Sequence, residues 1–452
     1  MRSPPALSKQ PEDERRTAFE FLARVHARLM DEGVGWYKDG VFEVSRCALR
    51  RRRVPGACLA FWERHAVPLL WHVLNQVAPA LYEENPWVQE VLGLDAERLS
   101  YLREFNAPGQ PLLDYFGVDS LEPDRRIVDI NSRPGVIGYL DEIRDAYSSA
   151  RDEVRETPSF NEALFTRLRA YSRNGLAVVL PERGSRFGDK RRIAEVASRY
   201  VPDATVYKLS ELGTLAEREL PGVALLTMIP TQILDDREKF SGLRALARKG
   251  VPIINRPDSF LGTSKTMMHL LAWSPTVERD VLALLDTDSE RARAKRALLQ
   301  ALFVPSVLIH AGAAYTAHGT CDAGEYLATR PRKGCVVKHG HTSGGWGVHH
   351  GAHTTRGRWQ ALLERVRRGG TWVVEEAQEH EREEIWGLVP EGSDGEDVGP
   401  GDGIDVQRLR ARILYRTYAV RGETPVFQEI FAAREWKVNA AGWSMPAEYG
   451  DS

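Results

Sequence analysis

The sequence predicts a mixed α+β protein of several domains, and three stretches predict it. The first hundred residues carry helical stripes. Residues 157–254 alternate helix and strand signals, and residues 334–379 read as strand, glycine loop, helix and strand. At 452 residues, 42% hydrophobic and 27% charged, the chain is long enough for two or three cored domains and has a globular composition.

Residues 1–10 form a proline- and serine-rich tail. Ala18, Leu22, Val25 and Leu29 then repeat at helical spacing, and Cys58 to Leu81 is a second helical block with Pro68 as its kink. Residues 1–104 are thus an N-terminal helical cap without chemistry. From Phe105 the character changes, and residues 105–150 form the next unit. Pro111 to Val118 reads as a strand, Asp119 to Arg125 as a turn, and Arg126 to Asn131 as the antiparallel return. Asp129 and Asn131 share a face of that return strand, which Asp114 reaches from its partner. Two carboxylates and an amide oxygen make a hard-oxygen site suited to Mg²⁺. Ser132-Arg133-Pro134-Gly135 turns the chain and leaves Arg133 beside it.

Residues 151–262 form a small α/β domain. Its helices run to Tyr171, over Asp189 to Tyr200 and over Phe240 to Lys249, and its strands are Leu176–Leu180, Thr205–Tyr207, Val223–Thr227 and Val251–Ile254. Such alternation predicts a parallel sheet flanked by helices. In residues 263–452, a helix from about Thr263 carries Lys265 in its first turn, and Phe303 to Ile309 is a strand. The apolar run Cys335-Val336-Val337 delivers Lys338 to a loop containing Gly340, Gly344, Gly345 and Gly347, whose backbone N–H groups suit a phosphate. A helix follows with Trp359, Leu362, Leu363 and Val366 on one face and stops near Gly369-Gly370. Strand Trp372-Val373-Val374 then meets an acceptor-rich hinge, Glu375, Glu376 and Gln378, able to take an exocyclic amine. Two C-terminal strands, Ile413–Val420 and Phe427–Val438, carry Arg416, Arg434 and Asn439.

A net charge of −2 gives no electrostatic drive toward nucleic acid or membrane. Arg50 to Arg53 reads as a solvated turn. No apolar run approaches the ~18 residues needed to span a bilayer, and the N-terminus lacks an apolar signal core. Cys47, Cys58, Cys321 and Cys335 show no metal-type pairing. A cytoplasmic protein with reduced thiols is expected. Five of the twelve histidines, His339, His341, His349, His350 and His353, crowd the glycine-loop region. They serve phosphate contacts or loop polarity, since no cysteine or carboxylate completes a transition-metal set at His350 and His353.

Lys265, Lys338, Gly344-Gly345-Trp346-Gly347, Glu375 to Gln378 and Arg434, in that order, resemble the ATP-grasp superfamily. The match is to its circularly permuted members, the group that includes glutathionylspermidine-synthase-like carboxylate–amine ligases. In the ordinary order the acidic strand pair comes last, whereas here Asp114 and Asp129-Ile130-Asn131 come first. The family's metal-binding Glu is Asp129 here, and Trp346 stands where a basic residue is frequent. The leading acidic ligand is Asp114 or Asp119, with Asp114 favoured because Asp119 falls in the turn.

The resemblance implies an ATP-grasp fold, circularly permuted, in which residues 151–262 are the pre-ATP-grasp-like domain. It also implies ATP and Mg²⁺ as cofactors and an ADP-forming ligase that couples a small-molecule or peptide carboxylate to an amine through an acyl phosphate. Lys265, Lys338, the glycine loop and the hinge would hold the nucleotide. Asp114, Asp129 and Asn131 would hold the metal, and Arg133 and Arg434 would act as catalytic cations on the carboxylate. A kinase-like phosphotransferase and a catalytically inactive nucleotide-binding partner are the alternatives.

Overall fold

Helix Glu12–Asp31 buries Ala18, Leu22, Val25 and Leu29, the stripe that its spacing predicts, and Phe21 beside them. Each of the four larger side chains taken out of water stabilises the fold by roughly 1.5–3 kcal/mol. The computed structural model describes residues 12–38, 41–50, 54–107, 109–123, 126–134, 137–151, 159–171, 174–181, 190–218, 220–228, 230, 232–316, 318–340, 347–378, 382–390, 403–423, 427–433, 443–446 and 449–450.

The N-terminal region is not purely helical. Gly35–Lys38 and Val41–Val44 form a hairpin, and Ala48–Arg50 adds an edge strand opposite Ile385 to Gly387. These segments are too short for a periodic pattern to register, and the partner of Ala48–Arg50 lies more than three hundred residues away. Arg50 therefore sits in a strand, while Arg51 to Arg53 fall outside the described residues. The second helical block runs from Gly56 to Glu84 with π-turns at Trp62–Ala66 and Val73–Val77, just ahead of Pro68 and Pro79. Proline cannot donate to the preceding turn, and a π-turn absorbs that missing bond where a kink was expected.

Two large antiparallel sheets, a four-stranded parallel sheet and a short parallel pairing of Val54–Pro55 with Tyr449–Gly450 complete the α+β architecture among the described residues. The parallel sheet has strand order Ile253–Ile254, Val223–Leu226, Leu176–Leu180, Ala204–Lys208, as the alternating pattern predicts. The six-stranded antiparallel sheet runs Gly319–Asp322, Ala313–Thr316, Ser306–His310, Thr371–Glu376, Cys335–His339, Val348–His350. Helix Lys265–Ala272 packs on one of its faces, with Met267, Met268 and Leu271 in one core with Leu308 and Val373.

The seven-stranded sheet is built on the 17-residue strand Ile404–Val420. Its first half pairs with Arg382–Pro390 and its second half, on the same edge, with Tyr115–Ser120. That strand in turn pairs with Ile127–Asn131. The early acidic hairpin thereby becomes part of a sheet made mostly from the last seventy residues. Asn255 pins it there: its side-chain carbonyl accepts from the Asp114 N–H at 2.6 Å, and its amide donates to the carbonyls of Tyr115 (2.8 Å) and Ser132. No described helix is long and apolar enough to cross a membrane.

Candidate functional site

The acidic hairpin sets the geometry. Gly117 pairs with Asn131, Val118 with Ile130 and Asp119 with Asp129, after which a bulge shifts the register so that Ser120 faces Ile127. Directly paired residues present their side chains on one face, so Asp119 and Asp129 stand side by side. Asn131 donates to Asp119 Oδ2 at 3.3 Å. On the far side of Asp119, Arg416 lies opposite it on the long strand and grips both carboxylate oxygens, with Nη2 2.7 Å from Oδ2.

Asp119 is therefore a strand residue, and the expectation that it lies in the turn is corrected. Asp114 precedes this strand and lies at its opposite end. Its buried carboxylate accepts from Arg167 Nε at 3.0 Å and from the Tyr171 hydroxyl at 3.0 and 3.1 Å, with Arg421 at 3.8 Å. It joins helix Phe160–Arg169 to the sheet and does not meet Asn131.

The two lysines reach this hairpin from the six-stranded side. Lys338 is buried at the end of its strand, 2.6 Å from Glu375 Oε2, and it donates to the Val128 carbonyl at 3.0 Å. The bulge frees that carbonyl from the strand ladder. Lys265 opens helix Lys265–Ala272, where the macrodipole disfavours a cation, and is nonetheless buried, with its ammonium on Asp129 Oδ1. Of the two hinge carboxylates, Glu375 faces Lys338 and Glu376 is exposed. Gln378 donates to the Glu376 carbonyl at 3.4 Å. Gly347 closes the loop in the left-handed region at φ 75°, and its carbonyl accepts from His339. Gly344, Gly345 and Arg434 lie outside the described residues. Beside the Val128 carbonyl, the Val128 side chain packs on Leu121, Leu414 and Phe431, an apolar floor next to the charged cluster.

Arg133 is corrected from a substrate-facing cation to a structural tie. It is buried and donates to the carbonyls of Leu226 (3.0 Å), Arg256 (3.0 Å) and Asn255, and to Ser259 Oγ (2.8 Å). Burial lowers its pKa to about 10, the nearby Tyr115 and Asp258 opposing the shift. Its fork is spent on linking the hairpin to the parallel sheet.

The donor set fits Mg²⁺ bound with a nucleotide. Among the described residues no three His, Cys, Asp or Glu side chains gather as a metal cage. What gathers is two carboxylates and the Asn131 amide, whose nitrogen faces Asp119, and Mg²⁺ bound through one or two carboxylates takes its other ligands from phosphates and water. Two buried lysines beside an apolar floor likewise suit a polyphosphate with an attached base.

Neither a protein-family model nor a curated protein sequence matches this chain. In three dimensions it is similar to a glutathione synthetase-like effector from Globodera pallida, solved in its apo form. The TM-score is 0.58 over 98% of both chains, at 11% sequence identity. At that identity the likeness is one of fold.

Sequence reasoning overlooked Arg416 as a site residue and ranked Asp119 second. The signal was the position of the turn. The observed pairing of Asp119 with Asp129 puts the hairpin's midpoint two residues later than a turn over Asp119 to Arg125 does, and the earlier midpoint sends Asp129 back to Tyr115, beside Asp114.

Proposed function

We propose that this chain is an ATP- and Mg²⁺-dependent carboxylate–amine ligase on a circularly permuted ATP-grasp fold. The observation that carries the reading is the meeting of two parts of the chain: Lys265 touches Asp129, and Lys338 reaches the Val128 carbonyl. The fold-level likeness to a glutathione synthetase-like protein supports it. Lys265 and Lys338 would bind phosphates and the adenine edge, Glu375 would orient Lys338, and Asp119, Asp129 and Asn131 would hold Mg²⁺, which neutralises charge on the triphosphate. Phosphoryl transfer rests mainly on positioning and charge neutralisation, and these residues supply both. A carboxylate that takes the γ-phosphoryl group there, with ADP leaving, becomes an acyl phosphate; an amine then attacks its carbonyl carbon, the C–N bond forms and phosphate leaves.

The test is product analysis with pooled carboxylates and amines. ADP and phosphate accumulating only when both co-substrates are present supports the ligase. AMP with pyrophosphate overturns it. Because Arg133 is committed to structure, a second reading also has support: a nucleotide-binding protein without turnover. Calorimetric ATP binding with no product under any substrate mixture selects that reading.

A further inference from the structure

We infer that Arg416 is the positioning residue of the metal site, holding Asp119 for the cation. This rests on the nucleotide–metal reading above and adds a residue to it.

Cross-strand pairing places Asp129, Asp119, Arg416 and Glu429 in one row across the seven-stranded sheet. Glu429 is turned to the Tyr418 hydroxyl, 2.8 Å away. Lys265 caps the other end of the row at Asp129. Across the site the charges therefore read cation, carboxylate, carboxylate, cation. Two carboxylates stand side by side, Asp119 fixed by the Arg416 fork and Asp129 shared with Lys265, and their oxygens offer the place between them to a positive ion. Asp129 is 23% exposed, so that place is reachable from solvent.

A strand-bridging ion pair alone would explain a contact between Arg416 and Asp119. It does not explain why the held carboxylate stands next to a second carboxylate and an amide. The fork engages Asp119 at two points, Nε on Oδ1 and Nη2 on Oδ2. Two-point contact fixes the plane of the carboxylate as a lysine cannot. Each carboxylate oxygen has two lone pairs, so this grip leaves lone pairs for Asn131 and a metal. Arg416 is itself held, its guanidinium 4.7 Å over the Phe431 ring. Burial opposes its charge, but Asp119 outweighs that and raises its pKa well above the ordinary arginine value. It is a permanent cation at every working pH.

Mn²⁺ titration in saturating ADP tests this, with ADP affinity measured separately without metal. Arg416→Lys keeps the charge and loses the fork. Mn²⁺ affinity is expected to fall about tenfold to hundredfold, as for other residues that orient metal ligands, while metal-free ADP affinity stays within about twofold. A lower thermal midpoint with unchanged Mn²⁺ affinity overturns the inference. A second measurement needs no variant. The Arg416 Nε–H resonance of ¹⁵N-arginine-labelled wild-type protein is expected to broaden beyond detection on adding Mn²⁺ with ADP and to persist with ADP alone. A resonance indifferent to Mn²⁺ also overturns it. Absence of any Mn²⁺ binding by the wild-type protein with ADP overturns the nucleotide–metal reading and this inference with it, whereas an unaffected variant or an unmoved resonance overturns only the inference.

Discussion

Lys338 and Glu375 form a buried pair, 7% and 10% exposed, in which neither charge is tolerable alone. Removing one partner of such a pair costs about 3–5 kcal/mol, largely by stranding the other. Lys338→Ala is therefore expected to lose roughly 3 kcal/mol in urea denaturation and at least about tenfold in calorimetric ATP affinity. The double variant Lys338→Ala/Glu375→Gln separates the two effects: most of the stability returns, and the affinity does not. Recovery of both would remove Lys338 from the nucleotide site. His269 gives a different residue-level expectation. It is buried, its Nδ1 lies 3.0 Å from Ser306 Oγ, and its Nε2 has no partner among the described residues. Burial lowers its pKa to about 3. The unfolded chain then binds the extra proton below the ordinary histidine value near ~6.5, so stability falls as pH drops through that value toward about 3. Between pH ~6.5 and ~5 this amounts to at most about 2 kcal/mol, and His269→Asn should flatten the slope in denaturation curves at the two pH values. Lys338 was legible in the sequence because an apolar run ends on it. Arg133 was not: beside Pro134 it reads as exposed, and the carbonyls it serves at 226, 255 and 256 lie about a hundred residues further along the chain, at the parallel sheet.

The elements were easier to read than their pairings. The parallel sheet, the helix bearing Trp359 and the strand delivering Lys338 followed from periodicity, which is local. The acidic hairpin's register depends on where its turn falls, and a small misplacement exchanged Asp119 for Asp114. The Arg416 contact depends on a strand nearly three hundred residues away, which no local pattern encodes. The glycine loop offers an element-scale test. Gly340, at its base, donates to the Thr371 carbonyl at 2.9 Å while its Cα faces Thr266. A Cβ there would press into the Thr266 hydroxyl and stand 3.0 Å from Thr371 Cγ2. Gly340→Ala is expected to cost about 1–3 kcal/mol as an overpacked site and to loosen the attachment of the strand to helix Lys265–Ala272. Adding Thr266→Ser leaves the hydroxyl in place and should not rescue it, whereas Thr266→Ala should recover part of the loss. Denaturation midpoints of the three variants decide this.

At the scale of the molecule, the candidate site forms where Lys265 and Lys338, on the six-stranded side, reach Asp129 and Val128 of the seven-stranded sheet. Helix Lys265–Ala272 belongs to the six-stranded side and Asp129 to the seven-stranded side, so their ion pair spans the junction. On the proposed reading, the Lys265 ammonium lies on an Asp129 oxygen that Mg²⁺ would need. A metal taking Asp129 would then release this ammonium toward the phosphates, and phosphates drawing it away would uncover the carboxylate. Metal and nucleotide should therefore bind cooperatively, each raising the other's affinity by the same factor, as linkage requires. Lys265→Met gives this coupling a sign. Asp129, partly exposed, tolerates the loss of its partner. The variant should bind Mn²⁺ alone more tightly than the wild type, bind ADP alone more weakly, and show a smaller gain when both are present. A coupling of about 1.4 kcal/mol corresponds to a tenfold difference between titrations with and without ADP in the wild type. If Lys265→Met weakened Mn²⁺ binding in the absence of nucleotide, the ammonium would be supporting the metal site instead of competing for it, and the proposed exchange across the two sheets would be wrong.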